Sequence, residues 1–200
     1  MVNLTRIYTR TGDEGETRLA NSAVVPKTDP RLEACGAVDE ANCVVGLALA
    51  AGVPDDVAAV LAIVQNELFD IGADLTTPGG SSVQTEAVTQ LETWCDQFNV
   101  TLPVMRSFVL PGGTPGAAQL HIARTVVRRA ERAAWVASDE VGLTSDGAIA
   151  GMGGLNPVVL VYLNRLSDLL FILARYTNQL AGAAEALWTS PQGVIHGKVR

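Results

Sequence analysis

The stretch LHIARTVVRRAER, residues 120–132, decides the fold. Wound as an α-helix it separates into two faces. Leu120, Ala123, Val127 and Ala130, continued by Ala134, form an apolar side that must pack. Arg124, Arg128, Glu131 and Arg132 fall at i, i+4, i+7 and i+8 on another side. Guanidiniums one turn apart can fork onto several oxygens of one anion. They can equally form a solvated, salt-bridged helix face, and both readings stand at this level. Glu131, amid them, is placed to orient an arginine or to meet a metal through water.

Working outward, TDPRLEACGAVDEANCVVGLALAAG (28–52) predicts a helix that Asp29 caps, Pro30 begins and Gly52 ends. Ala34, Val38, Ala41, Val45 and Leu49 keep its apolar face. Pro54 and Asp55 open a second helix to about residue 75, and TTPGGSS (76–82) breaks the chain. Residues 83–99 predict a third helix, with a stripe of Leu91, Trp94, Cys95 and Phe98. LPVMRSFVLPGGTPG (102–116) carries three prolines and three glycines and reads as a loop. The fourth helix spans about 117–137, and a fifth runs from Pro157 to about Gly182. Residues 1–27 read as a turn-rich arm, 138–155 as a glycine-rich mobile linker, and 185–200 as a loosely held tail. Five helices without convincing alternating strands predict one all-α, five-helix bundle over residues 1–200.

Composition agrees. The chain has 200 residues, 48% hydrophobic and 18% charged, which describes a globular protein. A net charge of −7 argues against duplex nucleic acid as a partner, while four arginines within residues 124–132 suit a small anion. Three cysteines, Cys35, Cys43 and Cys95, form no C-x-x-C pair, which argues against a disulfide framework or a zinc site and fits a reducing cytoplasm. No uninterrupted apolar run of membrane-spanning length occurs, so no membrane span is expected.

Several stretches carry chemistry. YTRTGDEGET (8–17) offers backbone N–H groups at Gly12 and Gly15, hydroxyls on Thr9, Thr11 and Thr17, and charge on Arg10 and, just beyond, Arg18. It is either a phosphate-holding loop or a plain solvated turn; the P-loop and G-x-G-x-x-G patterns are absent. In VYLNRLSDLLFILARY (161–176), Asn164, Asp168, Phe171 and Arg175 share a helical face, lining either a polar cleft or an internal network. Asp39 or Glu40 is placed to take an arginine of the fourth helix, within the chain or from a neighbour. Asp70 and Asp74, at i and i+4, favour a structural contact over acid–base work. Neither His121 nor His196 lies in a di-iron or zinc motif. His121 reads as a satisfied structural histidine.

Taken in order, YTRTGDEGET, Lys27 in VPKTD, GAVDEAN, LFDIGADL, FVLPGG, ARTVVRRAER and YLNRLSD resemble the PduO-type ATP:cob(I)alamin adenosyltransferases across residues 6 to about 178. Arg10 stands where that family often has lysine, Glu14 occupies a variable motif position, and the 138–155 linker looks long. The resemblance implies a five-helix bundle with ferritin-like up-down packing, a homotrimer, and active sites between subunits. It implies transfer of the 5′-deoxyadenosyl group of ATP to cobalt(I) of a corrinoid, with Mg²⁺ held mainly through ATP. It assigns Thr9, Arg10, Thr11, Gly12, Thr17, Arg18 and Lys27 to an arm that wraps ATP. Arg128, Arg129, Glu131, Arg132 and Asn164 are assigned to the rest of the nucleotide site. Arg124 resembles an arginine that pairs with Asp39 across a subunit boundary, and Phe108 resembles the aromatic crowding the lower face of the corrin. Cobalt(I) is itself the nucleophile, so no protein nucleophile is expected. The resemblance leaves room for a cobalamin reductase upstream and for delivery of product to a B12-dependent enzyme.

Overall fold

The computed structural model describes residue 8, residues 10–144 and residues 153–189. It contains five helices: α1 (Pro30–Ala51), α2 (Asp55–Thr76), α3 (Thr85–Asn99), α4 (Pro115–Val141) and α5 (Pro157–Leu180). The local signals act as expected. The Asp29 carboxylate accepts the Arg31 N–H at 2.9 Å, Pro30 begins α1, and Gly52 closes it with φ of 91°. Thr114 and Asn156 cap α4 and α5 in the same way.

In the packing order, α1 lies between α2 and α4, α4 also meets α5, and α5 covers α3. Helices α1 and α4 pack against each other, and each buries a row of small side chains: Ala34, Ala37, Ala41 and Ala48 on α1, Ala117, Ala123, Ala130 and Ala134 on α4. At the start of α4 Gly116 abuts α1's cap so closely that a Cβ there would stand 2.0 Å from the Gly52 carbonyl oxygen. Leu163, Leu166, Leu169, Leu170 and Leu173 of α5 complete the core. Helices α1 and α5 are long and apolar enough to cross a membrane by length and composition. Their apolar faces instead form this core, and α5 carries Asn164, Arg165, Asp168 and Arg175.

The structure departs from the sequence reading in four places. The arm contains an antiparallel hairpin, β1 (Glu16–Arg18) and β2 (Val24–Pro26), with Thr17 opposite Val25. Helix α4 continues to Val141, so the first residues of the supposed linker are helical. Leu143 and Leu155 bridge the linker's ends, while 145–152 lie outside the described residues. The tail is tied down through residue 188, as described below; its remainder from 190 lies outside the described residues.

Asp74 settles its own question. Its buried carboxylate accepts the Ser82 N–H at 2.7 Å, the Val83 N–H at 3.0 Å and the Asn156 amide at 2.8 Å. It thereby joins α2, the turn before α3 and the cap of α5, which is the structural role. Asp70 is exposed. Removing Asp74 strands several buried donors, each worth roughly 1–3 kcal/mol. Asp74→Ala is therefore expected to lower the urea unfolding free energy by about 3 kcal/mol or more, and Asp70→Ala by less than about 0.5 kcal/mol. A reversed ranking would contradict the assignment.

Candidate functional site

The arm builds a cleft. Thr11, Gly12, Glu16, Thr17, Arg18 and Val24 line a space of about 280 Å³ beside the hairpin. The backbone turns back at Gly12–Gly15, where the Gly15 N–H reaches the Gly12 carbonyl at 3.3 Å with φ of 87°. The Lys27 N–H then bonds the Gly15 carbonyl at 2.8 Å, which folds Lys27 over the turn. A Cβ on Gly12 would stand 3.0 Å from the Lys27 Nζ, which places the amine against this backbone. Arg10 takes a left-handed φ of 63°, and its guanidinium lies 5.7 Å from the centre of the Tyr8 ring. Five expected arm residues (Thr11, Gly12, Thr17, Arg18 and Lys27) thus gather at one place, with Arg10 beside them. Thr9 lies outside the described residues.

The hairpin rests on the end of α2, where the Ala20 N–H bonds the Thr76 carbonyl at 3.3 Å and Leu19 is buried. Among the described residues no hydrogen bond or ion pair joins Arg18 or Lys27 to α4.

On α4 the arginines divide. Arg129 pairs with Glu40 of α1. Arg128 and Arg132 are exposed, and the Arg132 guanidinium donates to the Arg128 carbonyl at 3.0 Å. Glu131 is half-buried and accepts the Asn164 amide at 3.2 Å. The Asn164 carbonyl in turn accepts from Arg165, which bonds Glu92 of α3 at 2.8 Å. A chain of polar contacts from α3 through α5 to α4 therefore fixes Glu131 beside two exposed cations. Arg124, half-buried, has its guanidinium held below the usual range by burial and by neighbouring Arg128. Its Nε is buried without a partner among the described residues.

The polar face expected on α5 does not form one cluster. Asn164 joins Glu131, Asp168 is exposed, and buried Arg175 forms an ion pair with Glu185 at 2.7 Å. Asp39 is exposed on the α2 side of α1, in a cleft with Asn42, Cys43, Gln65, Asn66 and Phe69. Among the described residues it forms no ion pair with Arg124. Phe108 is 77% exposed on the loop before α4, edge-on to Trp188 at 6.3 Å.

Residues 7–177 match the family described as Cobalamin adenosyltransferase. The chain belongs to the cobalamin adenosyltransferase family. It is 51% identical over 185 residues to the corrinoid adenosyltransferase of Mycobacterium tuberculosis, covering 88% of this chain and 91% of that one. Identity to the corrinoid adenosyltransferase of Bacillus subtilis is 40% over 189 residues, 90% of each chain. Among solved structures, a phenylalanine-to-alanine variant of the Lactobacillus reuteri PduO-type ATP:corrinoid adenosyltransferase, complexed with cobalamin and ATP, superposes with a TM-score of 0.83. It is 35% identical, and the match covers 92% of this chain and all of that chain.

Of the two carboxylates expected to take an arginine of the fourth helix, Glu40 is the one that does so within the chain, pairing with Arg129. Two residues escape sequence reasoning. Glu185 and Trp188 lie beyond α5's end, where no periodicity indicates a partner; the only signal is an aromatic and an acid in an otherwise small-residue segment. His121 corrects an expectation. It is buried, edge-on to Phe171 at 6.0 Å, but both ring nitrogens lack a partner among the described residues. Burial, then the positive Arg124, lower its pKa from the ordinary 6.5, against an opposing pull from Glu185. The folded state therefore refuses the proton that the unfolded chain accepts. The stability involved is complete above about 6.5 and is lost as pH falls from there toward the lower folded value. His121→Leu is expected to flatten the fall in urea unfolding free energy between about pH 7.5 and 5.5, by at most about 1.4 kcal/mol per pH unit. An equal slope in both proteins would remove His121 from the acid sensitivity.

Proposed function

We propose that this chain adenosylates a corrinoid with ATP. The two electrons of cobalt(I) form the new cobalt–carbon bond to C5′, and the C5′–O bond breaks with its pair leaving on triphosphate. The product is adenosylcobalamin or its corrinoid equivalent. The protein's task is to place C5′ over cobalt and to stabilise the charge that develops on the leaving oxygens. The observation that carries the reading is the Lys27 amine folded against the Gly12 backbone, at a cleft that also presents Thr11, Thr17 and Arg18. Amines, hydroxyls and backbone N–H groups are the donor set that a triphosphate accepts.

In this reading Arg10, Thr11, Gly12, Thr17, Arg18 and Lys27 wrap ATP from the arm, together with Thr9, and Arg128 and Arg132 meet it from α4. Glu131 is held beside these arginines by Asn164, and Arg129 is held in place by Glu40. Mg²⁺ is carried on the phosphates, with Glu131 as its carboxylate neighbour. The arm's anchor on α2 and the exposed arginines of α4 support a site closed between copies of the chain. Asp39, beside the exposed Phe69, then meets Arg124 of the next copy, whose buried Nε lacks a partner among the described residues of its own chain. A homotrimer satisfies this arrangement by head-to-tail contact. Phe108 supplies an apolar surface below the corrin, displacing the lower axial ligand so that cobalt(II) can be reduced. Free Cys35, Cys43 and Cys95 support a reducing, cytoplasmic setting.

Anaerobic incubation with reduced cobalamin, ATP and Mg²⁺ is expected to yield adenosylcobalamin and triphosphate in equal amounts, followed by absorbance and phosphate analysis. No product above a protein-free control would sink the proposal. Arg128→Ala should weaken ATP binding by roughly ten- to a hundredfold, the worth of one charge-assisted contact, with the fold intact by circular dichroism. In a double-mutant cycle, Asp39→Asn and Arg124→Lys are expected to couple by about 1 kcal/mol or more in subunit association. Additive effects would show that the two side chains are not partners.

A further inference from the structure

The loop that carries Phe108 leaves α3 at Asn99 and enters α4 at Pro115. Three side chains on the last turns of α5, at i, i+3 and i+4, seize its backbone. The Arg175 guanidinium donates to the Pro103 carbonyl at 2.9 Å. The Asn178 amide donates to the Gly112 carbonyl at 3.0 Å while its oxygen accepts the Thr114 N–H at 2.9 Å. Gln179 donates to the Thr101 carbonyl at 3.0 Å. Arg175 and Asn178 are almost fully buried, so these bonds are shielded from competing water.

Arg175 has a second duty. Its Nε and a terminal nitrogen bond both oxygens of Glu185 at 2.7 and 3.2 Å. Glu185 begins the segment that zips along the Phe108 loop. The Leu110 N–H meets the Ala186 carbonyl at 2.7 Å, the Trp188 N–H meets the Phe108 carbonyl at 2.8 Å, and the Ser107 hydroxyl donates to the Trp188 carbonyl at 2.9 Å. One guanidinium thus ties the Phe108 loop, at Pro103, to Glu185 at the start of the segment that pairs with it in a short ribbon. The Phe108 ring is largely exposed and stands edge-on to Trp188, while its own carbonyl is held by the Trp188 N–H, so backbone restraint bears on its position.

We propose that Arg175, Asn178 and Glu185 are positioning residues for the corrinoid step: they clamp the ribbon that holds Phe108 rigidly enough to exclude a lower axial ligand. The proposal rests on the reading of Phe108 given above. A wedge that yields lets the ligand return, whereas a wedge on a restrained backbone does not. Cobalt(II) must gain one electron to reach cobalt(I), and the returned ligand hinders that step alone. Cobalt(I) supplied ready-made bypasses it.

Gly113 offers an independent lever on the same clamp. Its φ is 103°, and a Cβ there would stand 2.1 Å from the Asn178 Oδ1, so Gly113→Ala must push that side chain off the loop. The test compares Asn178→Ala, Gly113→Ala and Glu185→Gln with wild type and Phe108→Ala. Glu185→Gln keeps the side chain's size should Arg175 variants fail to fold. Turnover is measured in two ways: with chemically pre-reduced cobalt(I), and with cobalt(II) plus a reduced flavin as one-electron donor.

The ratio of the first rate to the second is expected to rise on the order of tenfold in each clamp variant, as in Phe108→Ala, with KM for ATP within about twofold of wild type. Hydrogen exchange at the Leu110 and Trp188 amides should accelerate in the clamp variants, reporting the loosened ribbon directly. Combining Gly113→Ala with Asn178→Ala should add little to either alone. An unchanged ratio in the clamp variants, beside a raised one in Phe108→Ala, would overturn the clamp and spare the wedge. Equal loss in both assays, or unchanged exchange, would also overturn it. An unchanged ratio in Phe108→Ala itself would overturn the wedge, and the positioning role with it.

Discussion

The contact between α1 and α4, each with a row of buried alanines, is the constraint on which the remaining architecture depends. Small side chains on both helices bring their axes close, and Gly116 against the Gly52 carbonyl sets where α4 starts along α1. A larger residue anywhere in this seam would force the helices apart, because packed interiors tolerate added volume poorly. The same contact fixes the rotation of α4. With Ala123, Val126, Val127 and Ala130 buried, Arg128 and Arg132 have nowhere to go but solvent. Glu131 falls at the edge facing α5, where Asn164 meets it.

Carboxylates then decide which cations remain available. The chain is acidic overall, yet among the described residues Arg129 is the only arginine of α4 in an ion pair, with Glu40. Glu131 is occupied by Asn164, itself tied through Arg165 to Glu92, and so it does not collapse onto the arginines one turn away. Exposed arginines outside any such ion pair are weakly committed to their present geometry, and an incoming anion need break little to recruit them. Arg175 shows the opposite case: buried and doubly bonded to Glu185, it cannot serve a ligand without leaving a carboxylate stranded.

What the sequence made legible follows from the range of each interaction. Helix limits were readable because Asp29, Pro30 and Gly52 act on backbone groups within a few residues of themselves. The arginine face of α4 was readable because helical spacing alone creates it. The hairpin was not: its strands are three residues each and mostly exposed, so they carry no alternation to detect. The roles of Asp74 and Arg175 were readable only as polar residues that needed partners. Those partners, Asn156 and Glu185, are chosen by how elements pack, which local pattern does not encode. The family resemblance supplied candidate residues and an arm free to meet a neighbour's helix, but not the arm's anchor at Thr76 of α2.

That anchor bears on how a triphosphate is held. The arm is anchored at Thr76 on α2, and it presents short-range donors: backbone N–H groups, hydroxyls and one amine. Helix α4 presents long, exposed guanidiniums on a rigid rod. Neither set alone surrounds an anion that carries charge on three phosphorus centres. An anion bridging the two satisfies both, and it draws the arm toward whichever α4 lies within reach. In the function proposed above, the energy of that bridging is available only when nucleotide is present, which couples the arm's position to binding. Under that proposal adenosyl transfer gains from the coupling, because the donors that bind the triphosphate are the ones that stabilise the charge developing on it as it leaves.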